Sequence, residues 1–273
     1  MDDPLSVRHL TKHYPAFTLD DVSFDVPPAS ITGFIGRNGA GKTTTLRCLF
    51  DAVHPDAGER TFFGLPFEDH EAQIKQRIGF AAGGVDFYPR TRIRTITAAT
   101  RPLYASWDDD AYRRYMDLFG LDDAKTPKSF SQGMRVKYSL ALALSHRAEL
   151  LILDEPTSGL DPVSRDELLD VLMDLVRREG ISILFSTHIT SDLNKAADHI
   201  IHIADGRLLA ATTMEDYRNR YSVVPLADAQ RLGVDILGRR KMAAGDSALV
   251  NKKDAPDGEP ADLEAIMTHL ENR

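Results

Sequence analysis

Gly36-Arg37-Asn38-Gly39-Ala40-Gly41-Lys42-Thr43-Thr44 is the stretch on which the reading of this chain turns. Its first eight residues satisfy G-x-x-x-x-G-K-[ST], a pattern that cradles phosphate when a strand runs into it and a helix leaves it. Both neighbours fit. The apolar run Ile31 to Ile35 enters Gly36 as a strand, and beyond the loop Leu46, Leu49, Phe50 and Val53 recur at the spacing of one helix face. In such a loop successive backbone N–H groups and the positive end of the helix wrap an anion, and glycine lets the chain approach because it has no Cβ. Lys42 supplies a charge to the terminal phosphates, and Thr43 offers a hydroxyl to Mg²⁺, a hard cation that prefers oxygen ligands. The motif predicts a nucleotide site over Gly36, Arg37, Asn38, Gly39, Ala40, Gly41, Lys42, Thr43 and Thr44 without selecting the nucleotide.

A second stretch, Leu150-Leu151-Ile152-Leu153-Asp154-Glu155-Pro156, reads as a buried strand ending in two acids. The carboxylates then emerge at the strand's C-terminal edge, where ligands bind in open α/β sheets. Asp154 is the natural partner of Mg²⁺, and Glu155 the natural group to orient and deprotonate an attacking water. Alone, the stretch equally describes a strand with two solvated acids. The phosphate loop in the same chain decides for chemistry.

Working outward, Val22 to Val26 alternates as a half-exposed antiparallel strand stopped by Pro27-Pro28. Ile181 to Phe185 is a further apolar strand, and a helix opened by Asp161 as N-cap and Pro162 in the first turn separates it from Leu150 to Leu153. Strand, helix, strand implies a parallel sheet. From about Phe87 to Ser145 strand signals are scarce, and Tyr112, Tyr115, Met116 and Phe119 before Gly120 mark a helix. Ile200 to Ala204 and Leu208 to Ala210 flank a hairpin turn at Asp205-Gly206. Past Arg220 the chain is weakly patterned, punctuated by Gly, Pro and Asp, and ends in a helix carrying Leu263, Ile266, Met267 and Leu270.

The composition bounds the function. Of 273 residues 42% are hydrophobic and 27% charged, and 33 basic against 41 acidic residues give a net charge of −8, which disfavours a general nucleic-acid binder. No apolar run approaches the ~18 to 20 residues that cross a bilayer, and the polar start MDDPLSVRHL is unlike a secretory signal, which predicts a cytosolic protein. Cys48 is the single cysteine and no Cys/His set has zinc spacing, so disulfide and structural zinc chemistry are not expected. Cys48 reads as a small core residue, and His199 and His202 as structural.

With these residues in place, the chain resembles the ATP-binding subunit of ABC transporters over about residues 5 to 215. Lys12-His13-Tyr14 is similar to the A-loop, with Tyr14 stacking on adenine; Ser131-Gln132-Gly133-Met134 to the signature loop, although a second glycine is usual where Gln132 stands; Ser158-Gly159-Leu160-Asp161 to the D-loop; and Ser186-Thr187-His188 to the H-loop, whose histidine meets the γ-phosphate. Ser131 and Gly133 open a predicted helix, a second anion-binding terminus. The family's solution is two subunits facing head to tail, each loop gripping the other's nucleotide. Read by itself, Ser131 is also an ordinary N-cap.

The resemblance implies a P-loop NTPase core with a mostly parallel sheet, an antiparallel N-terminal β region and a helical subdomain inserted at about 87–145. These form an ATPase domain over 1–218, and a small C-terminal extension fills 219–273. It implies ATP and Mg²⁺, hydrolysis carried by Lys42, Glu155 and His188, and metal held by Thr43 and Asp154. It also implies a transmembrane permease partner, a second ATPase subunit that is a copy or a paralogue, and a place on the inner face of the cell membrane. The Ser106-Trp107-Asp108 run, the Phe-Ser-x-Gly-Met signature and the short tail are most similar to ATPases of the bacitracin-exporter type. In the family the region of Phe87-Tyr88-Pro89 and Trp107 receives the permease's coupling helix. The Q-loop glutamine, expected near Gly83, is missing, and Asp86 is the positional substitute. That gap supports an alternative, a non-catalytic ATP-sensing partner of an active paralogue; a further alternative is an ABC ATPase of DNA repair or translation without a membrane partner.

Overall fold

A computed structural model of the chain describes residues 3–82, 88–241 and 245–270. In order they form β1 (Leu5–Tyr14), β2 (Phe17–Val26), β3 (Ile31–Ile35), α1 (Lys42–Leu49), β4 (Ala57–Phe62), β5 (Leu65–Pro66), α2 (Phe67–Lys75), β6 (Ile78–Ala82), α3 (Ile93–Thr100), α4 (Asp109–Leu118), α5 (Gln132–Ser145) and β7 (Leu150–Asp154). There follow α6 (Pro162–Glu179), β8 (Ser182–Thr187), α7 (Thr190–Ala196), β9 (His199–Ala204), β10 (Arg207–Thr213), α8 (Met214–Asn219), β11 (Tyr221–Pro225), α9 (Leu226–Leu232), β12 (Gly238–Arg240), β13 (Ser247–Asn251), β14 (Glu259–Pro260) and α10 (Leu263–Leu270). Among the described residues no helix is long and apolar enough to cross a membrane.

The central sheet has the order β10-β9-β3-β8-β7-β6, parallel except for the β9–β10 hairpin, and an antiparallel sheet β2-β1-β4-β5 packs beside it. Side chains on a strand alternate between its faces, so each central strand feeds two cores. Ile31, Ile35, Leu151, Leu153, Ile183 and Phe185 join the layer with α4, α5 and α6. Phe34, Leu150, Ile152 and Leu184 join the layer with α1 and the antiparallel sheet. Asp205 and Gly206, at φ 48° and 76°, make the tight turn between β9 and β10. Between Tyr88 and Ser145 the described residues hold helices and 3₁₀ turns and no strand.

Two readings change. The face Leu46, Leu49, Phe50 and Val53 does not continue as one helix, because α1 stops at Leu49 and Asp51 takes a left-handed φ of 60°. The Cys48 carbonyl, which a further turn would have used, accepts instead from the buried guanidinium of Arg60 and from the Asp51 N–H. The chain after Arg220 is also more ordered than its pattern suggests: β11 to β14 form a four-stranded antiparallel sheet. Its strands are too short and too broken by turns for alternation to show. One part of it closes on a small cluster of its own, Val224, Ala229, Ala248 and Val250. Leu249, Leu263, Ile266, Met267 and Leu270 instead join the main core with Leu193 and Ala196 of α7.

His202 of β9 is fully buried, with Nδ1 2.6 Å from the Tyr217 hydroxyl of α8. Burial pushes its pKa down to about 4, so the ring is neutral when folded. The unfolded chain takes up that proton near pH 6.5, so stability is intact above about pH 6.5 and falls as the pH drops towards 4. In urea unfolding, the wild type should lose about 2 kcal/mol more between pH 6.5 and 4.5 than His202→Gln, which keeps a polar partner for Tyr217. Parallel stability profiles for the two proteins would contradict this assignment.

Candidate active site

The register of the central sheet gathers the site at one edge. Ile35 lies opposite Thr187, and Asp154 opposite Ser186, so Gly36, Glu155 and His188 leave β3, β7 and β8 at one level. Gly41, at φ 115°, turns the loop into α1, a conformation that favours glycine. No acidic residue stands in the first turn of α1 to offset the positive end of its dipole. Lys42 is 5% exposed and folds back over the loop. Its Nζ donates to the carbonyls of Gly36 at 2.6 Å and Arg37 at 3.2 Å, and lies 3.4 Å from Glu155 Oε1.

The carboxylates are held by β8. Ser186 Oγ, fully buried, donates to Asp154 Oδ1 at 2.6 Å and accepts from the Glu155 N–H at 3.0 Å. Thr43 Oγ1 approaches the same Asp154 oxygen at 3.4 Å. Glu155 takes a left-handed φ of 50°, unusual for a residue with a side chain. Its Oε2 lies 2.9 Å from His188 Nδ1, so Glu155 stands between Lys42 and His188. A cavity of about 610 Å³ lies over this edge, lined by Arg37, Asn38, Gly39, Gly41, Lys42, Thr43 and Thr44, by Glu155, Ser158 and His188, and by Ala16 and Phe17. Glu155 can accept a proton there, and the loop N–H groups and Lys42 can hold an anion.

Several expected residues stand elsewhere. Tyr14 closes β1, 41% exposed, its ring 6.5 Å from that of Phe17, and it is Phe17 that lines the cavity. The tip before it is tied by Asp56, whose carboxylate bonds Lys12 Nζ and the His13 N–H, both at 2.7 Å. Ser131 caps α5, accepting from the Met134 N–H at 3.2 Å, and neither Ser131 nor Gly133 lines this chain's own cavity. Trp107 packs partly buried on the core, its Nε1 donating to Asp109 at 2.9 Å. Gly83, Asp86 and Phe87 lie outside the described residues.

The sequence reading named Ser186 only as part of the run resembling the H-loop and missed its hold on the carboxylates, and it missed Phe17 altogether. Ser186 had a signal, since a hydroxyl inside an apolar strand needs a partner, but the partner is distant in sequence. Phe17 had none, because which aromatic of the β1–β2 hairpin reaches the loop depends on how the two sheets pack. Asp192 was also missed: on α7, 1% exposed, it accepts from Thr157 Oγ1 at 2.6 Å, and burial pushes its carboxyl pKa up.

This geometry agrees with the comparisons to known proteins. The ABC transporter family matches residues 19–158. The bacitracin transport ATP-binding protein BcrA of Bacillus licheniformis is 33% identical over 223 residues, covering 81% of this chain and 73% of that protein. The ABC transporter ATP-binding protein NatA of Bacillus subtilis is 34% identical over 201 residues, covering 71% of this chain and 81% of its own. A solved ATP-binding subunit of an ABC transporter superposes with a TM-score of 0.70 at 27% identity, covering 78% of this chain and 91% of that one. The chain therefore belongs to the ABC transporter family, as one of its ATP-binding, ATP-hydrolysing subunits.

Proposed function

We propose that this subunit binds Mg·ATP across a pair of ATPase subunits, hydrolyses it, and passes the resulting closing and opening to a transmembrane permease. The observation that carries the reading is the meeting of Lys42, Glu155 and His188 at one cavity, with Thr43 of the same lining 3.4 Å from Asp154. Arg37 to Thr44 and Lys42 hold the phosphates, and Tyr14 or Phe17 supplies the aromatic face for the base. Thr43 and Asp154 present two hard oxygens to each other, a donor set that suits Mg²⁺. Bound there, Mg²⁺ would neutralise phosphate charge.

Glu155 takes the proton of the water that attacks the γ-phosphorus, the bond to the bridging oxygen breaks, and ADP leaves with it. His188, hydrogen-bonded to Glu155, orients that carboxylate and faces the transferred phosphoryl group. The incoming phosphate competes with Glu155 for Lys42, which frees the carboxylate for the water. The α5 terminus at Ser131 and Gly133 is capped, has no acid in its first turn and does not line its own cavity, which supports a grip on the nucleotide of a second subunit. That subunit is a copy of this chain or a paralogue. A related cassette of the same fold, 18% identical, is a dimer in a post-hydrolysis state with ADP and phosphate.

The permease contact is best supported at a second cavity of about 440 Å³, lined by Leu46, Phe50, Ile78, Phe80 and Tyr104 and reaching Asp154. Phe80 is 44% exposed, stacked edge-on against Phe50 at 4.8 Å. An apolar helix seated there touches the strand pair that ends in the carboxylates, and the membrane side is reached through the permease.

A positioned base is worth ~10² to 10⁴ in rate, so Glu155→Gln should lower phosphate release by that factor. It should keep ATP affinity and give ATP-dependent dimers by light scattering; near-normal turnover would remove Glu155 from its role. Phe80→Asp should cut co-purification with the membrane partner at least about tenfold, because a charge replaces an exposed apolar anchor that the partner would bury. ATP affinity of the isolated subunit should stay within about twofold, and undiminished co-purification would place the contact elsewhere.

A further inference from the structure

Gln132 makes a contact that the glycine usual at its position could not. Its Nε2 donates to the Ser158 carbonyl at 2.6 Å, joining the first residue of α5 to the turn after β7. Its Oε1 covers Gly159 so closely that a Cβ there would sit 2.6 Å from it. Gly159 also has φ 72°, so the turn accommodates this side chain both in backbone shape and in what it lacks.

The two ends of this bond lie on different parts of the chemistry. Ser131, next to Gln132, is the cap of the α5 terminus. Ser158 lines the cavity, and its N–H donates to the Glu155 carbonyl at 3.2 Å. The turn is also braced by α7 and α6. Thr157 Oγ1 donates to Asp192 Oδ2 at 2.6 Å, and Arg165 Nη2 reaches the Leu160 carbonyl at 3.4 Å. With the turn tied to α6 and α7, Gln132 adds a bond to α5.

We propose that Gln132 is a positioning residue, whose amide locks the α5 tip that grips the partner's nucleotide to the turn that shapes the chain's own Glu155. It rests on the two-subunit reading above. When the α5 tip closes on a phosphate across the pair, the bond draws the 158–159 turn with it, and each site registers the state of the other.

The test uses the purified full chain and four proteins: wild type, Gln132→Glu, Gln132→Lys and Ser131→Ala. Glutamate keeps the size and loses the donor, while lysine restores one. Loss of a single part-buried hydrogen bond at this joint should lower kcat of Gln132→Glu about three- to tenfold and bring the Hill coefficient for ATP towards one. KM should hold within about twofold, and Tm within about 2 °C. Gln132→Lys should recover at least about half of the lost kcat. If Gln132→Glu keeps wild-type kcat and Hill coefficient while Ser131→Ala loses turnover, the Gln132 role is overturned and the two-subunit grip stands. If Ser131→Ala changes neither turnover nor ATP-dependent dimerisation, the grip and the Gln132 role fall together. Parallel losses of Tm and ATP affinity, unrelieved by lysine, would reduce Gln132 to a structural prop and overturn the proposal.

Discussion

The buried hydroxyl of Ser186, held between Asp154 and the Glu155 N–H, is the joint on which the site depends. Parallel pairing of β7 with β8 puts Asp154 opposite Ser186, and the same β8 pairs with β3, which feeds the phosphate loop. One strand therefore sets the height of both carboxylates against the loop. Because all three strands are covered on both faces, a slip by one residue would move each side chain from one core into the other and mispack both at once. Precision at the edge comes from packing in the middle.

Charge balance at that edge is local. Lys42 is nearly buried, and its donors are spent on two loop carbonyls and on Glu155. Glu155 in turn is shared with His188. A buried cation so provided for is held ready without being stranded, since an uncompensated charge at such depth would cost several kcal/mol. The strained backbone of Glu155 fits the same picture, for an unusual conformation persists only where its surroundings fix it.

The C-terminal residues bear on this centre through packing. α10 shares its apolar residues with α7, the helix that follows His188 and carries Asp192. Asp192 holds Thr157, and Gln132 holds Ser158, so the turn after Glu155 is fastened to both α7 and α5. α10, by way of α7, and the α5 tip are thus both linked to the carboxylate edge through one short stretch of chain.

Much of this was legible from order along the chain. G-x-x-x-x-G-K-[ST] between a strand and a helix, and an apolar strand ending in Asp154-Glu155, carry their chemistry in residue type and spacing, because a loop's donors and a strand's end are local properties. The Asp205-Gly206 hairpin and the Asp161-Pro162 helix start were readable for the same reason. Tertiary structure alone decided which aromatic lines the cavity, where α1 stops, how the residues after Arg220 form a sheet, that Ser186 bonds the carboxylate pair, and that Asp192 and Gln132 bond the turn after it. Each of these turns on partners brought together by folding: Arg60 on the Cys48 carbonyl, Asp192 on Thr157, Gln132 on Ser158. A hydrogen bond between residues tens of positions apart leaves no periodicity behind, so only the folded chain reveals it.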